Sequence, residues 1–190
     1  MLTNNRNALP LYEWLMTKGC CLLYSEYITV DILRNYKPKL VISYNYSYMI
    51  SEDVIDYMCG QCINLHISML PWNRGSDPNF WSFVDDTPKG VTIHRVAKGL
   101  DTGDIIYQRE LEFNEGTETF ASSYQALQQS VVELLKQNWD ELLKGSYKTF
   151  TQECKGTYHR RCDMKKWING RDFTWDMTIK DFKSIFYRTL

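Results

Sequence analysis

From Ile63 to Met69 apolar and polar residues alternate without a break, so a strand there turns Asn64, His66 and Ser68 to one face and Ile63, Leu65, Ile67 and Met69 to the other. The pattern predicts a half-exposed strand over Cys62 to Ser68, ended by Pro71 and Gly75 in a loop that carries Trp72, Asn73 and Arg74. Upstream, Asn7 to Lys18 predicts a helix closed by Gly19, with Pro10 tolerated in its first turn. A short strand over Cys20 to Tyr24, a helix over Val30 to Tyr36 stopped by Pro38, and a buried strand over Leu40 to Tyr44 follow. Ser51, with Glu52 and Asp53 behind it, predicts the N-cap of a helix through Met58.

Downstream, Asp77 and Pro78 predict the N-cap and first residue of a short helix through Phe83. Gly90 to Val96 and Ile105 to Glu112 read as strands that pair across the turn Gly99 to Asp104, which carries Asp101. Phe120, Tyr124, Leu127, Val131, Leu134, Leu135 and Leu142 recur at helical spacing, predicting one long amphipathic helix from Thr119 to Lys144 closed by Gly145. In the aromatic tail, Thr178 and Asp181 predict the capping of a final helix bearing Phe182, Ile185 and Phe186.

Strands alternating with helices predict an α/β fold: a Rossmann-like, mostly parallel sheet with helices on both faces and a small C-terminal helical and aromatic extension. Residues 1–150 are expected to form the main domain and residues 151–190 to extend it. Open α/β sheets bind ligands at strand ends, where Asn64, His66 and Asp101 are brought to one edge.

The 190 residues, 44% hydrophobic, suffice for one well-buried core and are too few for two ordinary domains. A net charge of −1 without a dense basic stripe argues against a nucleic-acid partner; the patch Arg160, Arg161, Lys165 and Lys166 reads as a solvated face. No apolar run reaches membrane-spanning length, and the polar start lacks a signal-peptide core, so a cytoplasmic protein is expected. Cys59 and Cys62 have C-x-x-C spacing but follow a helix and enter a strand, the reverse of a redox pair. Free structural thiols and no metal site are the expectation. Phe173, Trp175, Phe182 and Phe186 look exposed in the tail from Trp167 to Tyr187, which predicts a homodimer contact there, packing on its own core being the alternative.

The ordered segments N-x-H-x-S-x-L-P-x-x-R-G (Asn64 to Gly75), G-x-T-I-H (Gly90 to His94) and L-D-T-G-D-I-I (Leu100 to Ile106) resemble the formyltransferases that use 10-formyltetrahydrofolate. Within that family, Asn73 to Trp81 and Gly156-Thr157-Tyr158-His159-Arg160 look most like the enzymes that formylate amino sugars on nucleotide carriers. The resemblance makes Asn64, His66 and Asp101 catalytic: Asn64 donates to the oxyanion, His66 shares the oxyanion and relays the proton, and Asp101 accepts the ammonium proton or holds His66 charged. His94 reads as a packing or supporting residue.

For the folate co-substrate the resemblance points to the Tyr44–Ile50 loop, with Tyr44, Tyr46 and Tyr48, and to the Asp101 to Asp104 turn, with Asp104. For the nucleotide-linked sugar it points to Arg6 and Asn7 as a diphosphate site, Trp72 for stacking, Asn73, Arg74, Asp77 and Arg160 in the polar contacts, and Tyr158 and His159 on the carrier. Arg74 reads equally as a bracket for its loop. The implied substrate is dTDP-4-amino-4,6-dideoxyglucose, for surface polysaccharide such as lipopolysaccharide. Alternatives are a GDP-linked 4-amino sugar, a dTDP-3-amino sugar, glycinamide ribonucleotide, and a non-enzymatic folate or nucleotide-sugar binding module. One departure stands out: relatives begin with a full apolar strand, whereas only Met1, Leu2 and Thr3 precede the Asn4–Asn7 turn. That strand belongs in mid-sheet, so its shortening costs stability unless other contacts offset it.

Overall fold

The computed structural model describes residues 1–187. In chain order the elements are a 3-10 turn Arg6–Ala8, helices α1 (Leu9–Lys18) and α2 (Val30–Tyr36), strand β1 (Val41–Tyr44), α3 (Glu52–Met58), β2 (Cys62–His66), β3 (Arg74–Gly75), α4 (Pro78–Val84), β4 (Gly90–Arg95) and β5 (Ile105–Glu110). Then come α5 (Phe120–Gln137), α6 (Trp139–Lys144), β6 (Tyr158–His159), α7 (Asp163–Ile168) and α8 (Ile179–Phe186). Among these, no helix is long and apolar enough to cross a membrane.

The main sheet has the order β1-β2-β4-β5, parallel between β1 and β2 and antiparallel beyond. It is therefore a mixed sheet whose parallel half carries the Rossmann-like character. The expected strand Cys20 to Tyr24 reduces to Tyr24 alone, which bridges Leu2 in parallel while Leu2 bridges Ser43 on its other side. The shortened first strand thus keeps its central place as a single residue. It is braced by backbone bonds to Ile42, Tyr44 and Tyr24 and by the Met1 amino group donating to the Leu22 carbonyl at 2.6 Å.

Alternation sorts the two sheet faces. Ile42, Tyr44, Ile63, Leu65, Val91 and Ile93 join one core with Leu11 and Leu15 of α1 and Leu127, Val131 and Leu135 of α5. On the opposite face, Val41 and Cys62 pack with Leu33 of α2 and Val54 and Met58 of α3. Farther along that second face the inward residues become polar, with Ser43 paired to Asn64 and Asn64 to His94 in one row across three strands. Period-two patterning therefore places an apolar floor and a polar row on the same face of the sheet.

Several local expectations need correction. Ser51 and Asp77 make no side-chain capping bond; Asp77 is left-handed, with φ 54°. The long helix is broken at Asn138, whose amide donates to the Leu134 carbonyl at 2.8 Å and so competes with the backbone ladder that would continue into α6. Thr119 and Ser122 form a reciprocal capping box, and Thr178 accepts from the Asp181 amide.

The aromatic tail turns inward. Phe182 and Phe186 are buried with Phe80, Phe83 and Phe120, with Trp167 and Phe173 packed against them. Phe182 meets Phe120 edge-on at 4.9 Å. Trp175 stays 45% exposed. For Phe173, Phe182 and Phe186 the alternative holds, packing on the chain's own core under α4 and Phe120, while Trp175 keeps apolar surface exposed.

Candidate active site

β2 delivers Asn64 and His66 on adjacent same-face positions, and β4 brings His94 opposite Asn64. This polar face is not half-exposed as its alternation predicts: His66, Ser68 and His94 are buried, covered by the loop after β2 and the turn between β4 and β5. Asp101 sits in that turn with φ 54°, a left-handed conformation that Asp tolerates better than most residues. Two glycines allow close backbone approaches around it. A Cβ on Gly103 would lie 1.8 Å from the Arg95 carbonyl oxygen, and Gly75, at φ 90°, would place one 2.3 Å from that of His159.

The four side chains make one centre. Asn64 Nδ2 lies 3.2 Å from Asp101 Oδ1 and 3.1 Å from His94 Nε2, so both amide hydrogens are engaged. The Gly75 amide donates to Asp101 Oδ2 at 2.9 Å. His94 Nδ1 is 2.8 Å from the Arg95 carbonyl and His66 Nε2 is 3.0 Å from that of Asn73, so each of these nitrogens carries its proton. Each ring thereby turns its other nitrogen to Asp101: His66 Nδ1 at 3.7 Å from Oδ2 and His94 Nε2 at 3.5 Å from Oδ1. Burial works against charge on Asp101, but His66, His94 and the Gly75 amide more than offset it and hold the carboxyl well below the usual carboxylate range. The centre therefore combines a permanent carboxylate, two imidazole nitrogens able to take a proton beside it, and a neutral amide donor.

These residues form one wall of a cavity of about 530 Å³, faced by Tyr46, Tyr48, Met49 and Ile50 and rimmed by Asp77, Tyr124 and Arg161. Residues 25–138 match the formyl transferase family. The chain belongs to that family.

Three relatives of this formyl transferase chain bear on its chemistry. It aligns over 94% of both chains, at 35% identity and a TM-score of 0.84, with the formyltransferase PseJ from Anoxybacillus kamchatkensis, solved with UDP-4,6-dideoxy-4-formamido-L-AltNAc and tetrahydrofolate. It is 32% identical over 127 residues to the dTDP-4-amino-4,6-dideoxyglucose formyltransferase of Mycobacterium tuberculosis, covering 67% of this chain and 53% of that one. To the methionyl-tRNA formyltransferase of Clostridium acetobutylicum it is 28% identical over 144 residues, covering 75% and 44%. The chain thus spans about half, or less, of the curated relatives' length.

The transferase fold brings together only part of the expected binding set. Asn64, His66, Asp101, Tyr46, Tyr48 and Asp77 line the cavity. Tyr44 does not: it is buried in the core, its hydroxyl donating to Gln128. Asp104 is also outside, its carbonyl closing the turn by accepting from the Arg95 amide at 2.9 Å. Arg6 and Asn7 lie on an exposed 3-10 turn beyond the lining, and the Asn7 amide is already taken by Asn5 Oδ1 at 2.9 Å. That removes one of the backbone donors a diphosphate would need.

Trp72, Asn73 and Arg74 hold their loop rather than the cavity. The Trp72 carbonyl accepts from Ser68, and Asn73, fully buried, donates to Thr87 and accepts from Thr157 while its carbonyl fixes His66. Arg74 reaches Gln152 Oε1 at 2.5 Å and the Lys155 carbonyl at 3.1 Å, the bracket reading. Tyr158 is exposed in the small β3–β6 sheet, away from the lining. His159 stacks on Trp81 at 3.8 Å and meets Asp85 at 2.7 Å, so it anchors its segment instead of facing a carrier. Arg160 is exposed off the cavity, and its neighbour Arg161 lines it.

Sequence reasoning missed Arg161, Tyr124 and the place of His94 in the centre. His94 was legible through the same-face period of β4 opposite β2; nothing local separates Arg160 from Arg161. Cys62 lies in the apolar floor, and burial pushes its thiol up to about 12, while Cys59 is exposed. The pair is not arranged for redox exchange.

Proposed function

We propose that this chain transfers a formyl group from 10-formyltetrahydrofolate to the 4-amino group of a nucleotide-linked 4-amino-4,6-dideoxyhexose. The observation that carries the proposal is the Asn64, His66, His94 and Asp101 centre on a cavity wall. The substrate class rests on PseJ and the M. tuberculosis relative, whose names share a 4-amino or 4-formamido 4,6-dideoxy sugar on a pyrimidine nucleoside diphosphate. The whole-length likeness to PseJ favours UDP over the dTDP expected from motifs alone. Surface polysaccharide assembly in a reducing cytoplasm fits such a sugar and the free cysteines.

The folate's fit rests on the cavity wall of Tyr46, Tyr48, Met49 and Ile50, flat and apolar faces suited to a fused ring. When bound, the folate supplies an activated formyl carbon; the protein supplies proton handling and charge. Asp101 stays ionised, so it attracts the sugar ammonium, and the neighbouring His66 Nδ1 can take the ammonium's proton. A proton on His66 Nδ1 is held by charge attraction to Oδ2, since 3.7 Å is beyond hydrogen-bond reach, and remains available to the leaving nitrogen. Asn64 can serve the formyl oxygen as charge develops there by releasing one hydrogen from His94 or Asp101. Residues 1–150 carry this centre, and residues 151–190 add Arg161 at the rim for the nucleotide diphosphate.

The test is incubation with 10-formyltetrahydrofolate and a panel of UDP-, dTDP- and GDP-linked 3- and 4-amino sugars, read by mass gain of one formyl group. Formylation of a pyrimidine-linked 4-amino sugar is expected. Turnover confined to glycinamide ribonucleotide or methionyl-tRNA would overturn the substrate class, and no turnover with any acceptor would favour a binding module.

A further inference from the structure

Gln152 lies outside the cavity, yet it ties together the parts that place Asp101. Its Nε2 donates to the Asp101 carbonyl at 2.9 Å and to the Gly103 carbonyl at 2.7 Å. Its Oε1 accepts from Arg74 Nε at 3.0 Å and Nη2 at 2.5 Å, and Arg74 in turn holds the Lys155 carbonyl at 3.1 Å. Two acceptor contacts and two donated hydrogens use the full capacity of one amide. Just upstream, Phe150 pairs with Ile105 through backbone bonds of 2.8 and 2.9 Å, fixing the register with which Gln152 reaches the turn.

The turn needs holding. Asp101 is left-handed, a conformation unfavourable for a non-glycine residue, and it carries a carboxylate buried between two imidazoles. We propose that Gln152 is a positioning residue for the formyl-transfer reaction: it clamps the two carbonyls of the Asp101 turn against the Arg74 loop so that the carboxylate meets Asn64, His66 and the Gly75 amide at once. Gly75 follows Arg74 directly, so the same clamp sets both ends of the Gly75 to Asp101 hydrogen bond. The role rests on the proposed activity, but the geometry it governs can be read without turnover.

Gln152→Ala and Gln152→Glu separate this role from simple bracing. In Gln152→Glu the new carboxylate would still accept from Arg74, now with charge, but has no hydrogen for the Asp101 and Gly103 carbonyls. Both variants are expected to keep their Michaelis constants and lose roughly tenfold to a hundredfold in turnover, the scale of an ångström-level misplacement. The Gly75 amide proton, hydrogen-bonded to Asp101 Oδ2, should move upfield in the NMR spectrum of both. If Gln152→Ala fails to fold, Gln152→Glu and Gln152→Asn carry the test. A folded Gln152→Glu with wild-type turnover, or an unmoved Gly75 signal in any folded variant, overturns the positioning role. Absence of formyl transfer by the wild type would sink the proposed function while leaving the Gly75 signal to decide on the clamp.

Discussion

On the sheet wall of the cavity, Asn64 is bonded to His94 and Asp101, His66 is bonded to the Asn73 carbonyl and faces Asp101 at 3.7 Å, and the strand register sets the spacing of Asn64, His66 and His94. At the mouth, Tyr48 is 45% and Met49 54% exposed, and Arg161 stands in solvent beside Asp77. The wall is organised before any ligand arrives. The mouth is exposed side-chain surface that a ligand would desolvate. Under the proposed function, chemistry falls to the wall and recognition to the mouth, so substitutions in the two regions should damage different constants.

The largest effects belong to the wall. Asn64→Ala should lower turnover roughly a hundredfold to a thousandfold, the scale of losing one oxyanion donor, and His66→Ala and Asp101→Asn at least as much. Saturating kinetics on the acceptor identified in the sugar panel, with circular dichroism to verify folding, checks this. Near wild-type turnover in any of the three removes that residue from the chemistry.

At the mouth, Arg161→Ala should raise the sugar-nucleotide Michaelis constant by about tenfold with turnover kept, as expected for a partly exposed charge-assisted contact. Arg160→Ala should leave both constants near their starting values, because its side chain lies off the cavity. If Arg160→Ala is the damaging variant, the recognition surface extends past the rim described.

Acid titration sharpens the contrast more gently. The folded-state pKa of Asp101 is depressed, so its contribution to stability is present above the unfolded value of about 3.9 and is lost as pH falls through the folded value. Urea denaturation of wild type and Asp101→Asn at neutral pH and near pH 3 should show the wild type losing stability relative to the variant on acidification. The same comparison for Asp77→Asn should show the opposite trend, since burial, partly countered by Arg161, raises that carboxyl. Its stabilising preference is for the neutral form, present in acid and lost as pH rises through the raised folded value. Equal pH slopes for the two variants would erase the electrostatic difference between wall and mouth.

The smallest effect is chemical. With its thiol pushed up to about 12, Cys62 should resist alkylation at pH 8 in the folded protein while exposed Cys59 reacts. Peptide mass spectrometry after brief iodoacetamide treatment reads both. Prompt labelling of Cys62 would show that the apolar floor beneath the polar row opens readily.

Much of this was legible in the chain. Thr178 caps where its spacing to Asp181 predicts, Val30–Tyr36 is helical, and the strict alternation after Cys62 puts Asn64 and His66 on one face because side chains in a strand alternate with period two. Local chemistry failed where a competing contact intervened. Asn138 bonds the Leu134 carbonyl and breaks a helix whose apolar period runs through it. Arg74 spends its guanidinium on Gln152, and His159 spends its ring on Trp81 and Asp85. The partners of Arg74 and His159 are far away in sequence.

By itself, the sequence determined the α/β alternation, the Thr178 cap and the pairing of Asn64 with His66, since each depends on periodicity or on groups within a few residues. Only the tertiary structure decided that His94 joins the centre beside the expected Asp101, that Arg161 rather than Arg160 faces the cavity, and that the aromatic tail is covered by α4 and α5. Those outcomes depend on strand register, a left-handed turn held by a glutamine far along the chain, and the direction in which a short segment twists. Each is set by the balance of contacts across the whole fold.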